Sequence, residues 1–139
     1  MAVGLSTASQ QAAANAVVDQ IDAGTGAGTV VIYSGTPPAN ANASLSGNTV
    51  LASLPMSDPA FGSANSSGTA TAGAITQQNA SATGDATFFR VLDSDSNVIM
   101  QGTVTATGAG GDMQLANVTI TSGNPVEITS FTYQQPAGG

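Results

Sequence analysis

The sequence predicts a mainly β protein, an antiparallel β-sandwich or jelly roll of about seven strands with an N-terminal helical arm. Short runs rich in β-branched and aromatic residues recur from residue 28 to residue 135, with Gly, Pro and Asn between them. One segment rich in Ala and Gln precedes them and has helical periodicity. Since 139 residues make one domain of ordinary size, we divide the chain into an arm (1–27), a β-sandwich domain (28–135) and a flexible tail (136–139).

The first predicted element is a helix over residues 6–23. Thr7, with Gln10 three residues later, fits a capping box in which the two side chains bind free backbone N–H groups. One apolar stripe holds residues four apart, Ala13, Val17 and Ile21, with Ala14 and Val18 alongside. Because this stripe is narrow, we expect the helix to lean on a sheet or on a neighbouring subunit.

The predicted strands share β-branched or aromatic residues and turn residues at both ends. They are 29–34, 49–56, 69–75, 86–93, 98–105, 113–121 and 126–134. Segment 86–93 is apolar on both faces, as in a central strand. It forms a predicted hairpin with 98–105, and 113–121 with 126–134 makes a last pair.

The composition excludes several classes of function. Ala, Gly, Thr and Ser make up 73 of the 139 residues, only 6% are charged, and Lys, His, Cys and Trp are absent. Without basic residues the chain cannot neutralise phosphates, which disfavours direct nucleic-acid binding. Metals and haem lose their usual His and Cys ligands, and nucleophilic catalysis loses its usual bases. We therefore predict no enzyme activity, no cofactor and no metal centre.

Two motifs resemble ligand loops only superficially. Asp93 and Asp95 are spaced as at the start of a calcium-binding loop, but the later positions that need Gly and Glu hold Val98 and Val104. A hairpin turn closed by the aspartate side chain is the preferred interpretation, and weak surface calcium binding by these two carboxylates stays open. The glycine run at 24–28 closes a helix instead of opening one, so it indicates a connector and not a dinucleotide site.

Arg90 is the only positively charged side chain, against eight acids. It stands between Phe89 and Val91 in the most hydrophobic predicted strand. Because an unpaired buried charge is costly, its guanidinium must bind a carboxylate or several carbonyls. Two interpretations stay open, an internal pair with an aspartate and a bidentate contact to an acid of another subunit.

Four apolar side chains are further candidates for an interface between copies. Val17 and Ile21 lie on the helix stripe, and Phe131 with Tyr133 shares one face of the last predicted strand. As an edge strand, 126–134 would pair with another chain. Both aromatic residues equally fit the core of a sandwich.

No segment resembles a signal peptide or a membrane span. Residues 1–5 contain no basic residue, and no apolar run approaches the roughly 20 residues that cross a bilayer. We therefore expect synthesis in a cytoplasm without a cleaved export signal and no membrane partner.

Several segments resemble small acidic structural proteins of tailed bacteriophages and prophages. They are 31–38 (VIYSGTPP), 51–54 (LASL), 57–62 (SDPAFG), 86–95 (ATFFRVLDSD) and 126–132 (VEITSFT). The resemblance implies a virion structural protein on the capsid surface, with the major capsid protein and copies of itself as partners. The preferred role is a capsid decoration (cement) protein that stabilises the head shell, with helix 6–23 as a strap across a capsid subunit or a partner copy.

Two alternatives stay open. One is a tail or head–tail component, which would be present in far fewer copies than the shell protein. The other is a carbohydrate-binding β-sandwich module, which would need an export route and would bind glycans.

Overall fold

The computed structural model describes residues 3–137 and confirms a mainly β protein with one N-terminal helix. Helix α1 spans Thr7–Asp19 and continues into a 3-10 turn at Gln20–Asp22. Eleven strands lie in the described part of the chain. They are β1 (Thr29–Tyr33), β2 (Val50–Pro55), β3 (Thr69–Thr71), β4 (Gln78–Asn79), β5 (Gly84–Asp85), β6 (Phe88–Leu92), β7 (Val98–Ala106), β8 (Met113–Leu115), β9 (Thr119–Ile120), β10 (Pro125–Val126) and β11 (Ile128–Gln134).

Seven strands form one sheet in the order β2-β1-β6-β7-β8-β11-β3, and each of them falls within a segment predicted as a strand or extends it by one residue. The remaining four make two small sheets, β10-β4 and β5-β9. Strands β4 and β5 were not predicted, because each has only two residues and lacks the β-branched and aromatic residues that mark a strand.

The sheet is mixed, so the expectation of a purely antiparallel arrangement is wrong. Strand β8 runs parallel to β7, while the other neighbours in the sheet pair antiparallel. Parallel neighbours usually need a connection of a dozen or more residues. Here six residues, 107–112, are enough, because β8 is only three residues long and Gly108 and Gly110 turn the chain at φ 86°.

The two edges of the sheet meet beyond the ends of β2 and β3. Met56 pairs with Ile75 in an antiparallel bridge, and the Thr76 N–H donates to the Pro55 carbonyl at 2.9 Å. The sheet therefore curls back on itself, and most of its inner face is buried in the core.

Helix α1 and the inner face of the sheet share one hydrophobic core. Ala14, Val18 and Ile21 are at most 2% exposed and belong to it. Phe131 lies at its aromatic centre, with edge-to-face contacts to Phe61 and Phe89 at centroid distances of 5.1 and 4.9 Å. The helix thus packs on its own chain. No helix of the described residues is long and apolar enough to cross a membrane.

The start of α1 differs from the predicted capping box. Ser6, and not Thr7, is the N-cap, and its hydroxyl accepts from the Ser9 N–H at 3.2 Å. Gln10 does not fold back on the cap. Its Nε2 donates to the Gln135 carbonyl at 2.7 Å and so ties the helix to the end of β11.

Candidate interaction surface

Arg90 lies on the outer face of β6 and is only 5% exposed. Its Nε donates to Gln101 Oε1 at 2.9 Å, and its Nη2 donates to the carbonyls of Ala43 and Asn40. All these partners are neutral oxygens of its own chain. The charge is therefore held by carbonyl groups, in place of the expected aspartate, because the loop between β1 and β2 folds over it and supplies them.

Further hydrogen bonds fix this loop on the sheet. Gln101 Nε2 donates to the Pro38 carbonyl at 3.0 Å, so Gln101 both orients Arg90 and holds the loop. At the far end of the loop, Asn48 Nδ2 donates to the carbonyls of Ser34 and Thr36. An acid of another subunit would reach Arg90 only after the loop lifts from the sheet.

A small second hydrophobic cluster lies on the same outer face. Val31, Tyr33 and Phe88 form it, and the rings of Tyr33 and Phe88 stack 4.9 Å apart. Burial raises the pKa of Tyr33, and the nearby charge of Arg90 opposes that rise. This face of β1 and β6 is consequently a covered surface and not an open site.

Every exposed charged side chain in residues 3–137 is an acid. The exposed acids are Asp19, Asp58, Asp85, Asp95, Asp112 and Glu127. With Arg90 buried, this described surface has no positive side chain to attract phosphates or acidic partners.

Asp93 closes the hairpin between β6 and β7 as the sequence predicts. Its Oδ1 accepts from the N–H groups of Asp95 and Asn97 at 3.0 and 2.9 Å, and its Oδ2 accepts from Asn97 Nδ2. The bonds from Asn97, with a smaller contribution from Asp95, lower the pKa of this carboxyl below its ordinary value. Residues 3–137 contain no group of three or more acids placed to hold a metal ion, and calcium binding at Asp93 and Asp95 stays a prediction.

Asp22 joins the end of the helical segment to the loop after β2. Its two carboxylate oxygens accept from the Ala60 N–H at 3.0 and 3.2 Å. Partial burial raises the pKa of Asp22, the bond from Ala60 lowers it, and the negative charges of Asp58 and Asp19 raise it further.

The structure distributes the four apolar interface candidates between the core and its margin. Ile21 is fully buried and Phe131 is 4% exposed, so both serve the core. Val17 and Tyr133 are half-buried. Phe131 and Tyr133 lie together on the inner face of β11, and an interface role for any of the four stays a prediction.

A cleft of about 410 Å³ opens between β7 and β11, next to the start of β8. Met100, Gln101 and Gly102 form one wall, residues 131–134 form the other, and Asp112 stands at the end where β8 begins. No sequence pattern predicts this cleft, because it exists only through the strand order and the shortness of β8.

A scan against protein-family models, a search of curated proteins and a search of solved structures each gave no match to this chain. The functional conclusion therefore depends on the residues and the geometry of the chain itself.

Proposed function

We propose that this chain is a virion structural protein, and specifically a capsid decoration protein that binds the outer head shell of a tailed bacteriophage and stabilises it. The observation that carries the proposal is the composition of its surface. Small polar residues surround a few exposed carboxylates there, and the only cationic side chain, Arg90, is buried. Small side chains lose little conformational entropy when many copies pack on a lattice. The carboxylates repel the phosphates of packaged and free DNA.

We also propose that the fold is a β-sandwich or a jelly roll. The curled seven-stranded sheet around one core supports it, with the mixed pairing of β7 and β8 as a departure from a purely antiparallel form.

The helical strap takes a specific form in this proposal. The apolar side of α1 is occupied by its own core, so contact with a neighbouring subunit would use the opposite side. That side exposes Ala8, Ala12 and Ala16, which allow close approach of another backbone.

Cryo-electron microscopy of purified particles, combined with gel densitometry for copy number, tests the proposed function. Density for this chain across the head lattice, in numbers near those of the shell protein, is the expected result. A few copies confined to the neck or tail would favour a head–tail component. If purified particles contain none, the proposal is wrong, and glycan-array binding would then test the carbohydrate-binding alternative.

Reconstitution tests the strap. Purified protein is added to heads that lack it, and bound copies are counted. Ala12→Arg with Ala16→Arg should abolish binding, because two long side chains block the exposed side of α1. The control is Ser46→Arg with Ser53→Arg, which adds the same charge at exposed sites away from the helix. Equal binding by both variants would contradict the strap.

A further inference from the structure

The seven-stranded sheet contains a gap that is one strand wide. Strand β8 lies between β7 and β11 only along Val104–Ala106 on one side and Ile128–Phe131 on the other. Hydrogen-bonded strands are about 4.8 Å apart, so the two strands that flank β8 are separated by roughly 10 Å. Ahead of Met113 that space holds no strand, and it is the cleft between β7 and β11.

The β7 wall presents unpaired backbone groups to the cleft. Because the Val104 N–H donates to Thr87, on the β6 side, the backbone groups of Gln101 and Thr103 point the opposite way, into the cleft. The Thr103 N–H donates a hydrogen bond to Asp112 Oδ2 at 3.0 Å. A carboxylate oxygen thus occupies the place of a strand carbonyl at this position, whereas Gln101 has its N–H and C=O directed into open space.

The β11 wall of the cleft also presents backbone groups to it. The Phe131 carbonyl accepts from the Ala72 N–H on the β3 side, so the backbone groups of Thr132 and Gln134 face the cleft. Strand β3 lies on the opposite side of β11, so it does not pair with the backbone groups that face the cleft. Two rows of backbone N–H and C=O groups therefore face each other at the spacing that one inserted strand would bridge, and of these the Thr103 N–H is already bonded to Asp112.

The floor of the cleft is apolar and its rim is polar. Phe89 and Phe131 are buried below it in edge-to-face contact, while Thr132 and Gln134 are exposed above it. A strand placed here would direct alternate side chains onto the aromatic rings and the others to solvent. Asp112 at its end disfavours an acidic strand.

We propose that residues 3–5 of a second copy of this chain insert into the cleft as an additional strand. Val3 and Leu5 are 84% and 38% exposed, and their spacing puts both on one face of a strand, with Gly4 on the other. The segment is uncharged, and Ser6, which follows it, is already extended. The hydrogen bond from the Leu5 N–H to the Ala137 carbonyl of its own chain is exchanged for pairing in the partner. Two copies then complete each other by strand addition, with or without a head shell.

Disulfide trapping between two differently tagged chains tests the register, and it is clean because the sequence contains no cysteine. One chain carries Gly4→Cys and the other Thr132→Cys, which would face the same side of the completed sheet. We expect efficient cross-linking under mild oxidation. The control partner carries Ser53→Cys, an exposed position on β2, and should give at least tenfold less product. Equal yields with both partners would overturn the proposal.

Sedimentation of the intact chain tests the donor segment. Val3→Asp with Leu5→Asp should weaken self-association at least tenfold, because charge would be placed on the aromatic floor. Leu45→Asp with Val50→Asp adds the same charge at two other exposed apolar side chains, 40% and 41% exposed, and should weaken self-association far less. A wild-type chain that stays monomeric at millimolar concentration would overturn the proposal.

Hydrogen exchange identifies the occupant. Self-association should slow exchange of the Gln101 and Thr132 N–H groups, which point into the cleft. If these two groups become protected only when purified heads are added, the cleft holds a segment of the shell protein, and the second-copy proposal is wrong while the decoration role stands.

Discussion

Arg90 illustrates how a single charged residue organises a chain that has almost no others. Its guanidinium holds two carbonyls of the β1–β2 loop and the amide oxygen of Gln101, which itself holds Pro38. The bonds to the loop join residues that are 47 to 63 positions apart in sequence. The cation therefore contributes to tertiary structure, and the loop covers the hydrophobic residues below it.

Replacing Arg90 by Met should destabilise the protein by about 2 kcal/mol, since charge-assisted hydrogen bonds are lost while the apolar stem is kept. Denaturant unfolding measures the change, and hydrogen exchange should speed up in residues 38–43. Gln101→Leu should release the same loop with a smaller loss. Unchanged exchange in both variants would show that the loop is held by other contacts.

Position 102 requires glycine, because neighbouring side chains lie too close to leave room for a Cβ. A Cβ at this position would lie 2.7 Å from two ring carbons of Phe89 and 3.0 Å from Asp112 Oδ2. Gly102→Ala should therefore cost about 1–3 kcal/mol in unfolding free energy, the usual cost of overpacking a core. Gly26→Ala is the control, because no atom lies within 4 Å of a Cβ there. Equal stability of the two variants would contradict this account.

Helix α1 shows how far sequence periodicity identifies the buried side of a helix. The predicted apolar stripe holds Ala13, Val17 and Ile21 with Ala14 and Val18 alongside, and the buried positions Ala14, Val18 and Ile21 all belong to it. Periodicity alone does not separate the buried Val18 from the half-buried Val17, because that difference depends on contacts with distant strands. The bond from Gln10 Nε2 to the Gln135 carbonyl is one such long-range contact of the helix.

Val18→Ala should lower the unfolding free energy by about 2 kcal/mol, because two buried methyl groups are lost. Val17→Ala should cost less than about 1 kcal/mol, since Val17 is half-buried and alanine favours the helix. Thermal and denaturant unfolding of both variants provide the comparison. A larger loss for Val17 would contradict the placement of Val18 in the core.

The seven strands of the sheet were predictable because the predicted segments that contain them carry β-branched or aromatic residues between turn residues. The hairpin at Asp93 was predictable for the same local reason, since the aspartate binds its own turn. The parallel pairing of β8, the edge bridge at Met56 and the cleft were not. They depend on which distant strands become neighbours, and nothing local in the sequence specifies that order.

The Asp93 turn makes stability depend on pH in a stated direction. Its carboxyl has a folded pKa below the ordinary value of 3.8. The stabilisation is therefore fully present above about pH 3.8, and it is lost as pH falls through the folded pKa. Asp93→Asn should be less stable than wild type at pH 7, with the difference shrinking under acid, in unfolding measured from pH 7 to pH 2. A stability difference that stays constant down to pH 2 would contradict the role of the Asp93 carboxylate in the turn.

The charge of the whole molecule acts differently on binding between copies of this chain and on binding to a shell protein. The chain carries a net charge of −7, and in residues 3–137 all exposed charged side chains are acids. Copies of this chain therefore repel one another at long range, and ion pairs between their described surfaces cannot offset that repulsion. Binding between copies must come from backbone pairing and apolar contact, as strand addition supplies, whereas a shell protein with basic groups would be attracted.

The same repulsion acts within one folded chain and predicts an unusual response to salt. Moving from about 0.05 M to 0.5 M NaCl shortens the screening length severalfold and weakens carboxylate repulsion, so Tm should rise by roughly 3 °C. Asp85→Asn with Glu127→Gln lowers the net charge from −7 to −5 and should reduce that rise. A Tm that falls with salt would mean that attractive ion pairs stabilise the fold. The described surface has no exposed cation to form such pairs, so this result would contradict both the inward placement of Arg90 and the surface on which the proposed function depends.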